Sequence, residues 1–216
     1  GSMEERSSQN PRYAVQTFVT GRIHGIQEDY LSPTRRSVGA RKLAALRHAA
    51  TKEPGSTPDT WGIEFEGMPA QLAGRFDWPS VGEYAVHGAL TLYAIHQQSQ
   101  SAEMCVLGWE HNLGAAIRQM IDGDPTRYES LQSGELPRRF AALVTAESFS
   151  EVMHYARQLV QQLRAASIPL DYGLLAQQLY DLQNPYRADT VRLSWGRAFA
   201  RVSFDATAKQ EENKER

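Results

Sequence analysis

The chain has 216 residues, 41% of them apolar and 22% charged, with a formal net charge of −2. That suffices for one good-sized core or two small ones packed together, while the longest apolar run, the seven residues Ala89 to Ile95, falls far short of the roughly 20 that a membrane span needs. The single cysteine, Cys105, excludes an intrachain disulfide framework and a cysteine-based metal knuckle. Gly1-Ser2-Met3 reads as a cloning remnant and no signal peptide is visible, so a cytoplasmic protein is expected.

Helical periodicity dominates wherever the apolar pattern is legible. Val15, Phe18, Val19, Ile23, Ile26 and Tyr30 form one stripe, which Gly21 and Gly25 weaken without ending. Pro33 is expected to open a second helix, with Val38, Leu43, Leu46 and Ala50 on its apolar side. Residues 53–79 hold four prolines and read as a long connection that Trp61, Phe65, Phe76 and Trp78 could pin to the core. Ser80-Val81-Gly82-Glu83 is a capping-box pattern. It opens a helix with Val81, Tyr84, Ala85, Leu92 and Ile95 on one side. A fourth helix is expected near Glu110 to Ile121, and Asp124-Pro125 signals the start of a short element.

Leu136 to Val144 reads as helical, with Phe140 and Leu143 inward. Ser148-Phe149-Ser150-Glu151 is a second capping box, opening a helix through Ala165 whose seam is Val152, Ala156, Leu159, Val160 and Leu163. Ile168-Pro169 stops it, and Asp171 caps a helix with Leu174, Leu175, Leu179 and Leu182 inward. After Asn184-Pro185 a final helix places Val191, Trp195, Phe199 and Val202 on one side. No sustained alternation argues for a sheet. The expected fold is all-α, a bundle of about eight or nine helices in two packed sub-bundles. Its expected division is a tag and disordered N-terminus at 1–11, helical parts at 12–121 and 122–204, and a disordered tail at 205–216.

Catalytic machinery is hard to find in this pattern. There is no phosphate loop, dinucleotide fingerprint, nucleophile elbow or zincin motif. None of the six histidines has another three or four residues away, the spacing that places two metal ligands on one helix face. His87 and His96 are expected to be packing or polar-network residues, Cys105 a small buried hydrophobe, and Glu64 and Glu66 to serve capping and solubility. No enzyme activity, metal or cofactor is expected.

Charge is segregated along the chain. Residues 30–52 carry six basic side chains and no acidic one, residues 53–135 carry three basic and twelve acidic, and residues 137–201 carry eight arginines against five acids. Nineteen of the basic residues are arginine and four are lysine. A GC-rich genome accounts equally well for that ratio, but not for the segregation. Arginine's planar fork matches phosphate geometry, and cations spread over a surface hold a polyanion by releasing its counterions. Candidate backbone-binding residues are Arg36, Arg41, Lys42 and Arg47 on the second helix, Arg138 and Arg139 beside Pro137, Arg157 and Arg164 seven residues apart, and Arg187. Arg41, His48 and Lys52 share one stripe, Arg36 and Arg47 another, and Arg197 with Arg201 makes an i, i+4 pair. Pairing of each with Asp or Glu on a solvated face is the competing reading.

Several short runs resemble the CasB family, the small subunits of the type I-E CRISPR Cascade complex. They are Ala40 to Arg47, Leu90 to Ala94 with His96 to Ser99, Arg138-Arg139-Phe140, Ile168 to Ala176 and Trp195 to Phe199. The resemblance implies a two-part helical fold and two copies packed head to tail in a crRNA-containing ribonucleoprotein, in contact with its other protein subunits. It further implies antiviral defence by CRISPR interference. A basic surface would hold single-stranded or double-stranded DNA non-specifically, stabilising the R-loop and its displaced strand. No membrane partner is implied. A protein-only helical scaffold, its arginines serving carboxylates on a partner, is the alternative.

Overall fold

The computed structural model describes residues 10–124 and 136–200. Within them the regular structure is helical, apart from one parallel bridge between Cys105 and Leu170. Helix α1 spans Pro11–Leu31 and runs unbroken through Gly21 and Gly25. Pro11 at its first position needs no amide partner, and the Asn10 side chain accepts from the Arg12 amide. Helix α1 thus already takes in Pro11, which the expected division left to the N-terminal segment. Helix α2 spans Arg36–Ala49. It begins three residues after Pro33 because Pro33-Thr34-Arg35 forms a turn, closed by the Arg35–Asp29 ion pair at 2.7 Å.

The long connection contains a 3-10 turn, Pro58–Thr60, and the single-turn helix α3, Trp61–Glu64. Three of its four large rings are not what pins it. Trp61, Phe76 and Trp78 are 52%, 71% and 65% exposed, whereas Leu72, Thr60 and Glu64 are buried. Phe76 and Trp78 stack on each other at the surface, centroids 4.8 Å apart.

Helix α4, Val81–Gln97, carries the complete Ser80–Glu83 capping box. The sequence suggests one apolar side, but α4 is buried almost all round from Ala85 to Gln97, and Val81 instead lies exposed. A helix that is apolar on every face belongs at the centre of a bundle. Here α1, α2, α7 and α8 surround it. Helix α5, Leu113–Gly123, starts after the expected Glu110 because Asn112 is its cap, accepting from the Gly114 amide. Asp124 closes it, and the element expected from Pro125 onward lies outside the described residues.

Helix α6 spans Arg138–Thr145 and α7 spans Phe149–Ala165, with the expected seam buried. Ser148 caps α7, but Glu151 reaches the Glu147 amide rather than that of Ser148, so the second box is only half made. Helix α8 spans Tyr172–Leu182, capped by Asp171. Residues 188–200 form α9, which buries Val191, Trp195 and Phe199; Val202 and Arg201 lie outside the described residues, as does most of the expected joint between the two parts.

One hydrophobic cluster takes residues from every helix except the short α3. Two glycines set its tightest crossings. A Cβ on Gly173 of α8 would strike Thr20 of α1, and one on Gly114 of α5 would drive into the Trp195 carbonyl of α9. None of the helices is long and apolar enough to cross a membrane, among the described residues.

Candidate nucleic-acid interface

Helices α2 and α7 both pack on α4, and this carries bases from distant parts of the chain to the same place. The Arg36 guanidinium lies 4.7 Å over the Tyr30 ring and donates to the Tyr30 hydroxyl at 3.4 Å. That hydroxyl also accepts from the Ser99 amide, just past the end of α4. Arg164 of α7 donates to the Gln98 carbonyl at 2.7 Å, a cation placed where the helix dipole of α4 is negative. Arg47 is held below the ordinary guanidinium range, chiefly by burial, partly offset by the Tyr30 phenol and reinforced by the charge of Arg164. Two helical turns nearer the start of α7, Arg157 reaches the Ala50 carbonyl at 3.5 Å. Burial also lowers its pKa. Both guanidinia stay charged in water at neutral pH.

Arg36, Arg47, Arg157 and Arg164 therefore form one cluster between α2 and α7. Arg41, His48 and Lys52 border it as an exposed stripe, with the Lys52 amine 3.0 Å from the His48 ring. The other candidates lie elsewhere. Lys42 turns toward Asp29 of α1, whose carboxyl is lowered mainly by its hydrogen bond to Arg35 and, less, by the charge of Lys42. Arg139 donates to Gln158 on α7, beside the exposed Arg138. Arg187 sits in the turn after α8, where its charge acts on Tyr180.

The competing reading, carboxylate pairing, holds for a different set of arginines. Ion pairs occupy Arg12, Arg35, Arg118 and Arg192, with Asp181, Asp29, Asp122 and Asp189. Among the described residues, none of the nine candidate bases forms one. Unpaired cations facing water are free to exchange their counterions for a phosphate backbone.

Comparison with known proteins bears on what such a surface serves. The family model of the CRISPR-associated protein Cse2 matches residues 42–199. The chain belongs to the Cse2/CasB family. It is 36% identical to CasB from Thermobifida fusca, whose crystal structure superposes with a TM-score of 0.68 over 86% of this chain and 97% of that one. The fold is shared with CasB of M. ruber (21% identity, TM-score 0.58, covering 88% and 97%). It is shared too with a Cse2-family protein of Thermus thermophilus (19%, TM-score 0.57, covering 84% and 97%). No curated protein matches the chain. In this Cse2/CasB chain the family match spans α2 from Lys42 onward and all of α7, the two helices that carry the cluster.

The polar residues expected to be structural are deeply so, with one correction. His96 is buried between the Tyr172 hydroxyl and the Ile168 carbonyl, 2.7 Å from each. His87 lies 2.5 Å from Glu64 and 2.8 Å from the Lys52 carbonyl. Glu64 is thus not a solubilising surface residue but a fully buried partner, its other oxygen accepting from Thr60 at 2.9 Å. Burial pushes the Cys105 thiol up to about 12, which leaves it un-ionised near neutrality. Among the described residues no group of three or more His, Cys, Asp or Glu could hold a metal ion.

Proposed function

We propose that this chain is a non-catalytic small subunit of a type I-E Cascade complex in the cytoplasm. In this reading its α2/α7 surface holds nucleic-acid backbone and stabilises the R-loop and displaced strand. The observation that carries the reading is the convergence of Arg36, Arg47, Arg157 and Arg164, from opposite ends of the chain, none of them ion-paired with a carboxylate among the described residues. A scaffold built to meet carboxylates could use the same forks. The flanking exposed stripe Arg41, His48 and Lys52 favours an extended polyanion over a single ionic contact. Guide pairing exchanges one duplex for another at near-balanced cost, so backbone contacts of this kind can tip it.

Reconstitution with guide RNA, the other subunits and a second copy of this chain tests the reading. Arg41→Glu, Arg47→Glu and Arg164→Glu combined should leave assembly intact and shorten R-loop lifetime. Failure to assemble without any DNA would favour the protein-only scaffold instead.

A further inference from the structure

The basic cluster opens, at the end of α2, into a cleft of about 310 Å³ that the backbone contacts alone do not explain. One wall is aromatic: the rings of Tyr84 and Phe149 meet edge to face, centroids 5.8 Å apart at 74°. Lys52 and Arg157 also line it, and both belong to the basic surface described above. Two side chains with acceptor oxygens, Glu53 and Gln183, stand in the lining together with the hydroxyls of Thr51 and Ser150. Glu53 accepts from the Tyr84 hydroxyl, and a carboxylate has lone pairs to spare after one such bond. Gln183 spends its amide nitrogen on the Val81 and Leu179 carbonyls, at 3.0 and 3.1 Å. Its Oε1 accepts no hydrogen bond within the described residues.

We infer that this cleft receives one unstacked, amino-bearing base, cytosine or adenine, of a single strand whose backbone runs over the α2/α7 surface. The inference rests on the proposed backbone-binding role and adds a base subsite to it. The volume lies at the lower end for small-molecule sites, which run from roughly 300 Å³ upward, so it suits a single base. Aromatic rings stack on any base. Lys52 and Arg157 are placed to hold the phosphates on either side. Glu53 and the Gln183 Oε1 are both acceptors, so an exocyclic amine satisfies them, whereas the carbonyl edge of thymine would face them with lone pairs of its own.

Fluorescence anisotropy of the full chain at low salt, with oligo(dC), oligo(dT) and an oligo(dC) holding abasic positions, tests the subsite. The expected result is about tenfold tighter binding of oligo(dC) than of the abasic strand, a size in keeping with the stacking of one base, and about fivefold tighter binding than of oligo(dT), in keeping with the hydrogen bonds of one exocyclic amine. Phe149→Leu should reduce the preference over the abasic strand, and Gln183→Leu the preference over oligo(dT), to twofold or less with the salt dependence unchanged. Two variants from different helices guard against a loss caused by misfolding. Equal affinity for all three strands, with a steep salt dependence, overturns the subsite and leaves the backbone reading standing. Absence of binding to any strand at low salt overturns both. Free dCMP binding as tightly as the strand would make the occupant a nucleotide and overturn the inference as stated.

Discussion

Arg47 of α2, whose pKa is lowered chiefly by burial, stands close enough to Arg164 of α7, across the end of α4, for the charge of Arg164 to lower it further. Two like charges brought together without an acid between them lower the stability of the free protein slightly. The same arrangement favours an anion that bridges them. Arg47→Glu should therefore stabilise the free protein by about 0.5 kcal/mol at low ionic strength, an effect that vanishes in high salt, while weakening DNA binding. Urea denaturation at two salt concentrations, with parallel binding titrations, checks it. A variant that is both less stable and bound equally well would remove the strain-for-binding relation.

The buried Glu64–His87 pair ties the long connection to α4. Both histidine nitrogens face acceptors, one a carboxylate and one a carbonyl, so removing the carboxylate leaves the ring facing an empty site. Glu64→Ala should cost roughly 3–5 kcal/mol. Chemical denaturation measures the loss, which should far exceed that of Glu66→Ala on the exposed side of the same segment.

Burial lowers the pKa of His96 from 6.5 to about 4, against the raising effect of its hydrogen bond to the Ile168 carbonyl. The folded state keeps the ring neutral while the unfolded state takes up a proton, so the stability it contributes is complete above about pH 6.5. It is lost progressively as pH falls toward 4, in total roughly 3 kcal/mol. The denaturation midpoint should fall between pH 7 and pH 5. His96→Gln should be less stable at pH 7 but show a flatter dependence across that window.

Glycines give a prediction of opposite signs. Gly21 and Gly25 of α1 have nothing within 4 Å of an added Cβ, so Gly21→Ala and Gly25→Ala should each raise stability by roughly 0.5–1 kcal/mol. Gly114→Ala would push α5 off the Trp195 carbonyl and should lower the thermal midpoint sharply. Thermal melts of the three variants test both signs at once.

What was legible in the sequence was local. Ser80 and Glu83 sit three residues apart and announce a helix start by themselves, and the seam Val152 to Leu163 shows its face through its period. The central placement of α4 was not legible, because a helix buried on all sides has no polar face to set its period. Trp61, Phe76 and Trp78 misled because ring size says nothing of where a loop lies. Glu64 and His87 are 23 residues apart in sequence, and Arg157 meets Ala50 across 107. Such pairings depend on helix packing, so the candidate bases could be named from the chain but not grouped. Tyr84 reads in the sequence only as part of an apolar helix side and Phe149 only as part of a capping box, and neither signals that their rings meet.

The central claim is that the α2/α7 cluster binds nucleic-acid backbone, and the salt dependence of binding reads it most directly. Log K against log[salt] for a single-stranded oligonucleotide should be linear and steep, its slope shrinking by about one for each of Arg36, Arg41, Arg47 and Arg164 replaced by Gln. Arg118→Gln, whose guanidinium is already paired with Asp122, should leave the slope unchanged. A slope indifferent to these four residues, or no binding at low salt, would contradict the account.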